Sequence, residues 1–393
     1  MVDERVLTER LISYDTSRAE ELVAAAGFVK GWLESRDIEV QDHEHNALPV
    51  LIAAVGPPAN EVPSVIFHGH LDVVPGRHEQ FTPQIEGDRL IGRGAYDMKG
   101  ALAAMMCALK DLSGQERVAV RFICVPDEES EELDQRSTDA ILGRGVNAAF
   151  AITGEPTNLH IGVAAKGVLA MQIVVHGKAA HSSTPWLGEN AVLKAVDAFR
   201  AIQSLPFTRE SSELFDAPSI NLGRIEGGDA LNMVPDACRM AVDVRYLPGQ
   251  DPEEVMAQIR TIEGIEIERS FLHPPVTVSR NDRHVQALRE AVVRLSPDME
   301  TISVGRDGAS DAVSFIQAGI PAVEFGPAGG GHHGPDEWVS LQSLARYRRT
   351  LSDFVRGLPL RLQEPSAGAG QAKQRASALD GVEGLRAIDG GLA

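Results

Sequence analysis

The sequence predicts an α/β protein: a sheet covered by helices, interrupted by a smaller α+β domain. Three observations carry that reading. Helix-spaced and strand-like segments alternate through the first part of the chain. The middle switches to period-two alternation, and the α/β style then returns near the C-terminal end.

RAEELVAAAGFVKGWLESR (18–36) has the apolar spacing of an amphipathic helix. LPVLIAAV (48–55) and SVIFHG (64–69) read as short buried strands. MKGALAAMMCALKDL (98–112) is a strong helix, RVAVRFICV (117–125) a β-branched strand and AAFAIT (148–153) another strand. In the middle, GVLAMQIVVHG (167–177) and ACRMAVDVRYL (237–247) alternate apolar and polar residues, as half-exposed antiparallel strands do. A helix near 189–205, a second over 252–264 and the edge strand EIERSFL complete a βαββαβ-like stretch over about 164–276. A helix over about 282–295, the strand PAVEFG (321–326) and a last helix over about 340–357 return to the first style. Residues 1–163 and 277–362 are therefore expected to form one domain and 164–276 a second. The stretch 363–393, rich in Ala, Gly, Ser and Gln, reads as a disordered tail.

The chain has 393 residues, 43% of them hydrophobic, enough for two or three domains at roughly 150 residues each. Asp and Glu number 56 against 37 Lys and Arg, a formal net charge of −19. Such a chain repels phosphate backbones and anionic membrane surfaces, so neither nucleic acid nor membrane is an expected partner. Cys107, Cys124 and Cys238 are too widely spaced for a disulfide framework or a thiolate zinc site, and they fit a reducing compartment. With no signal-peptide pattern in MVDERVLTERL and no long apolar run, the expected location is cytoplasmic.

Five segments carry chemistry, and each begins where a strand ends or a loop starts, the place where ligands bind in open α/β sheets. In His68-Gly69-His70-Leu71-Asp72, His70 is able to bind a metal through one ring nitrogen while Asp72 orients the other; a satisfied polar cluster at a strand end is the alternative. In the segment Gly92–Gly100, Asp97 stands at or near a helix start, where it could equally be an ordinary cap. Asp127-Glu128-Glu129 places three acids at the end of a buried strand. They repel one another unless something cationic compensates, though Glu131 and Glu132 extend the charge run and a solvated loop is the plain reading. Glu155 follows the strand AAFAIT, and His332 and His333 lie in a Gly-rich loop after PAVEFG. Each segment alone is weak. Together they bring His, Asp, Glu, Glu and His to one edge of one sheet.

The segments GHLDVVPG, GRGAYDMKG, PDEES, TGEPT and HHGPDEWV, in this order, resemble the acetylornithine deacetylase/succinyl-diaminopimelate desuccinylase family, within the clan of co-catalytic zinc peptidases that holds aminoacylases and glutamate-releasing carboxypeptidases. GKAAHSSTP, LNMVPDACRMAVDVRY and DGASDA match further family positions, so the resemblance covers about 10–360. It implies a di-zinc peptidase-type catalytic domain, with helices on both faces of a mixed sheet, interrupted by a ferredoxin-like dimerisation or lid domain. It implies that His70 and Glu155 hold one metal and Glu129 and His333 the other. Asp97 would bridge the two, Asp72 would support His70, Glu128 would be the general acid/base, and the Asp97–Met98 peptide would be cis. His332 is then left a structural role. His181, by spacing alone a surface histidine, matches a family residue that reaches the partner subunit's site and stabilises the oxyanion. Asn232 and Arg245 match positions that hold the substrate carboxylate, although Arg245 would otherwise pass for a surface residue of an alternating strand. Gly308 and Ser310 belong to the matched substrate-contacting loop.

Two divalent metal ions per subunit are thus implied, Zn2+ first and Co2+ or Mn2+ as alternatives, since the ligands are nitrogen and oxygen without thiolate. The implied activity is hydrolysis of an N-acyl amino acid, by a homodimer formed through the small domain. A dipeptidase or carboxypeptidase on the same site is the alternative, with a non-catalytic metal- or amino-acid-binding relative behind it. One departure bears on substrate: desuccinylases of this family usually carry an Arg soon after the Ser-Asp pair. Here Asp311 is followed by Ala312, Val313 and Ser314, with Arg306 upstream.

Overall fold

The computed structural model describes residues 4–129, 136–297, 303–308 and 311–363. Its large sheet is mixed and has nine strands. Along one path the order is Val40–His45, Leu48–Val55, Ala119–Val125, Ser64–His70, Phe150–Thr153, Ala322–Glu324, Ile161–Ala165 and Val276–Thr277. Ser303–Arg306 pairs with Ile161–Ala165 off that path. The four central strands, from Ala119–Val125 to Ala322–Glu324, run parallel. Their C-terminal ends therefore share one edge, and the loops that leave it carry most of the chemistry.

Both faces of this sheet are covered, which is why its strands read as near-continuous apolar runs. Val65 and Phe67 pack into one core, with Leu102 and Met106 of the helix Gly100–Asp111 and Leu351 of the helix Leu341–Gln363. Ile66, one residue out of phase, packs into a second core with Val313 and Phe315 of the helix Ala312–Gln317. The helix Gly100–Asp111 is apolar almost all round because it lies between the sheet and other helices. Gly69 and Gly154 end two central strands where the Met98 methyl group fills the space that a Cβ would need.

The residues between Gly167 and His273 form their own sheet, four antiparallel strands in the order Ser219–Gly227, Ala237–Tyr246, Gly167–His176, Ile265–His273. The helices Ala191–Ile202 and Pro252–Ile259 pack on it around Ile173, Val175, Val242 and Ile259. Asn190 and Asp251 cap these helices by accepting backbone N–H groups, an arrangement worth about 1 kcal/mol each. The strand Ile161–Ala165 and its partner Val276–Thr277 belong to the large sheet. The last helix continues through Gln363, and the tail expected beyond it lies outside the described residues.

A third, small sheet joins Gln84–Glu86, Arg89–Ile91, Trp338–Ser340 and Gly329–Gly330. It clamps the 84–97 segment against the 329–340 loop, two stretches that are remote in sequence. Cys107, Cys124 and Cys238 are buried free thiols. No described helix is long and apolar enough to cross a membrane.

Candidate metal centre

His70 ends its strand with the ring fully buried. Its Nε2 lies 3.1 Å from Asp97 Oδ1 and 4.0 Å from Glu155 Oε1. Its Nδ1 lies 3.0 Å from the Asp72 carbonyl and 3.4 Å from Asp72 Oδ1. One nitrogen faces the carboxylates and the other is held from behind, the arrangement of an oriented metal ligand. Asp72 does more than steer the ring: its carboxylate accepts the backbone N–H groups of Glu128 and Glu129, at 3.2 and 2.7 Å. It therefore fixes the turn that carries both acids.

Asp97 stands in the turn before the helix Gly100–Asp111, and the Asp97–Met98 peptide is cis, as the resemblance implies. Gly94 has φ 77°, and a Cβ there would collide with Val73 and the Lys99 side chain. Asp97 Oδ2 lies 2.5 Å from His332 Nε2 and 3.4 Å from His333 Nε2. His333 Nε2 is also 3.0 Å from Glu129 Oε1. Two clusters with convergent donor atoms result: His70, Asp97 and Glu155, and Asp97, His332 and His333. Asp97 belongs to both, with one oxygen turned to each side. Glu129 joins the second through His333. His332, read from sequence as structural, stands among the donors because His333 adopts a left-handed backbone (φ 57°) and both rings turn to Asp97.

The electrostatics call for cations. Burial, then the Asp97 and Glu128 charges, hold Glu155 well above the usual carboxylate range. Burial pushes Glu128 up to about 8, against the opposing pull of Arg136 and His70. Burial works against the Asp97 anion too, but hydrogen bonds from His332, His333 and His70 outweigh it and hold the carboxyl well below its ordinary value. Hydrogen bonds to Asp97 and Glu129 lift His333 to about 10. Several buried carboxylates at one spot are costly without compensating positive charge, and protons on His70 and His333 supply it here. Divalent cations fit the same donors, all of them imidazole nitrogen or carboxylate oxygen.

Three groups around the site have partners that no contiguous motif announced. Glu337, 1% exposed, accepts the backbone N–H groups of Gly94, Tyr96 and Asp97 and pairs with Arg93 Nη1 at 2.7 Å. Arg93 Nη2 also donates to the His333 carbonyl, so the Asp97 turn and the histidine loop are locked together. Arg136 lies 3.1 Å from Glu128 Oε1 and 3.0 Å from Asp311 Oδ1. Arg306 donates from Nε to the buried Glu324 at 2.8 Å.

The remaining expected site residues are not brought to this cluster. His181 is exposed on the Gly167–His273 unit, and its ring pairs with Ser183 Oγ at 2.8 Å. Asn232 is exposed on the same unit. Arg245 grips its strand neighbour Asp243 through Nε and Nη2, at 3.0 and 2.9 Å. Gly308 is exposed, and Ser310 lies outside the described residues, as do Glu131 and Glu132.

The sequence profile of peptidase family M20/M25/M40 matches residues 66–357, which takes in every segment that builds the cluster. The chain belongs to this family. M20 peptidases are metal-dependent, and this member is a hydrolase of amide bonds. It is 31% identical to acetylornithine deacetylase of Myxococcus xanthus over 368 residues, 88% of this chain and 91% of that one. It is 30% identical over 321 residues to succinyl-diaminopimelate desuccinylase of Sphingopyxis alaskensis, 75% and 81% of the two chains. Among solved structures, a family M20 metallo-carboxypeptidase from Sulfolobus solfataricus shares the fold with a TM-score of 0.75 at 20% identity, over 92% of this chain and 100% of the other.

Proposed function

We propose that this M20 hydrolase removes a neutral acyl group from an N-acyl amino acid, releasing a carboxylate and a free amine. The observation that carries the reading is one buried carboxylate, Asp97, shared by two donor clusters, with Glu128 beside them. His70 and Glu155 would hold one divalent ion, Glu129 and His333 the other, and Asp97 both; Zn2+ suits these donors first, Co2+ and Mn2+ next. Such a pair lowers the pKa of water and polarises the scissile carbonyl. Glu128 takes the proton from the attacking water and returns it to the leaving amine. Its backbone N–H is held by the Asp72 carboxylate. Asn232, Arg245, Gly308 and Ser310 hold the substrate, and Arg245 exchanges Asp243 for the substrate carboxylate.

Arg306 bears on the acyl group. It lies close enough to Glu155 to feel its charge, and its Nε donates to Glu324 at 2.8 Å. With Nε committed to a buried carboxylate, Arg306 is a poorer partner for the second carboxylate of a succinyl group than an arginine just after the Ser-Asp pair would be. A metal-loaded panel of N-acetyl amino acids, N-succinyl amino acids and dipeptides tests this. N-acetyl substrates are expected to lead in kcat/KM by about tenfold or more, equivalent to about 1.4 kcal/mol. A preference for succinyl substrates or for dipeptides would remove the reading.

The Gly167–His273 unit is assigned to dimerisation and to closing the site, the catalytic domain being the rest of the chain to about 362. Trp186, Leu193 and Leu231 are 75%, 63% and 103% exposed on it, and they are the apolar surface that a second copy would cover. Light scattering should give twice 42.2 kDa. If His181 acts across the dimer, mixing the inactive variants His181→Ala and Glu128→Gln restores turnover, because one mixed site keeps both intact residues. A monomeric active form, or no recovery on mixing, would refute donation in trans. The buried free thiols accord with a cytoplasmic location.

A further inference from the structure

Behind Glu128 lies a largely buried chain of polar groups that the hydrolytic reading leaves unused. Arg136 precedes the helix Ser137–Gly143, and one nitrogen, Nη1, serves two carboxylates: Glu128 Oε1 at 3.1 Å and Asp311 Oδ1 at 3.0 Å. Asp311 is 1% exposed. Its other oxygen accepts the Thr138 hydroxyl at 2.6 Å and lies 3.4 Å from His68 Nε2. Asp127, next to Glu128, accepts both the backbone N–H and the hydroxyl of Ser137, which fixes the start of the same helix. Arg136 is thus held from below by an anion that is itself immobile.

We propose that Arg136 is a positioning residue that aims Glu128 at the reacting water. A free glutamate side chain has three rotatable bonds, and a general base has to present a lone pair within hydrogen-bond reach of the proton it takes. Arg136 immobilises Oε1 and so directs Oε2 without touching substrate. The partnership also gives buried Asp311 a role, since its carboxylate holds Arg136 in place.

This inference rests on Glu128 being the base, so the experiment keeps the two apart. Arg136→Met, Arg136→Lys and the double variant Arg136→Met/Asp311→Asn are compared with Glu128→Gln, reading kcat, KM, metal content and melting temperature. The double variant avoids leaving Asp311 charged, buried and alone, and Arg136→Lys keeps a cation for it; both are expected to fold. The expected result is a fall in kcat of up to about a hundredfold for the Met variants, the scale of a misplaced catalytic group. KM and metal content stay within about twofold of the parent, because a base acts only in the transition state. Arg136→Lys falls between parent and Met. Parental kcat in both Met variants, or a raised KM with kcat unchanged, would overturn the proposal while leaving Glu128 as the base. An active Glu128→Gln would overturn both.

Discussion

Replacing Glu128 with Gln is expected to lower kcat by about 10²- to 10⁴-fold while the chain keeps its full complement of metal. Gln preserves the size of the side chain and an oxygen for Arg136, and it stays clear of both donor clusters. What it removes is the ability to accept a proton and give it back. The pH profile sharpens the expectation. Burial raises the Glu128 carboxyl to about 8 in the protein without ions, so the base form grows as pH rises through that value. Cations at Asp97 and Glu155 add positive charge nearby and move the titration downward. In the loaded enzyme, kcat/KM should therefore climb with pH along an acidic limb below 8, and that limb should be absent from the residual activity of the Gln variant. Amine release measured beside elemental analysis separates the outcomes. A Gln variant with parental turnover shows that another group moves the proton, and one that has lost metal shows that Glu128 is a ligand.

How much of this could be read from the sequence depends on whether the partners are neighbours in the chain. His70 with Asp72, and Glu128 with Glu129, are local pairs at strand ends, so the helix-covered sheet and its ligand-bearing edge are legible from apolar runs and the polar residues closing them. Pairs decided by sheet order are not. Arg93 and Glu337 are 244 residues apart, and Arg136 and Asp311 are 175 apart. Nothing in the local pattern of either residue names its partner. His332 was set aside in favour of its neighbour because spacing alone does not reveal that a left-handed turn sends both rings to one carboxylate. The strand Ser219–Gly227, implied by the βαββαβ pattern, is hard to delimit in the sequence for a different reason. It is an edge strand in which a register shift between Leu222 and Arg224 breaks the alternation that Ile220 and Leu222 begin.

Asp97→Asn should cost the protein both metals and all measurable turnover. Each donor cluster would lose its shared anion: Oδ1 serves the His70 and Glu155 side, and Oδ2 the His332 and His333 side. An amide of the same shape keeps the backbone N–H that Glu337 holds, so the turn itself should survive. Stability separates loss of metal from loss of fold. A ligand that binds only the native state stabilises it by about 2.7 kcal/mol at a hundredfold excess over Kd. The parent should therefore melt higher with metal than with chelator, and the Asn variant should melt at one temperature in both. Its metal-free form should also melt below the metal-free parent, because the amide loses the histidine hydrogen bonds that hold the Asp97 carboxyl well below its ordinary value. Two metals per chain in the Asn variant would mean that the clusters do not depend on Asp97. A variant that unfolds in both conditions would mean that the Asp97 carboxylate holds the histidine loop in place even without metal.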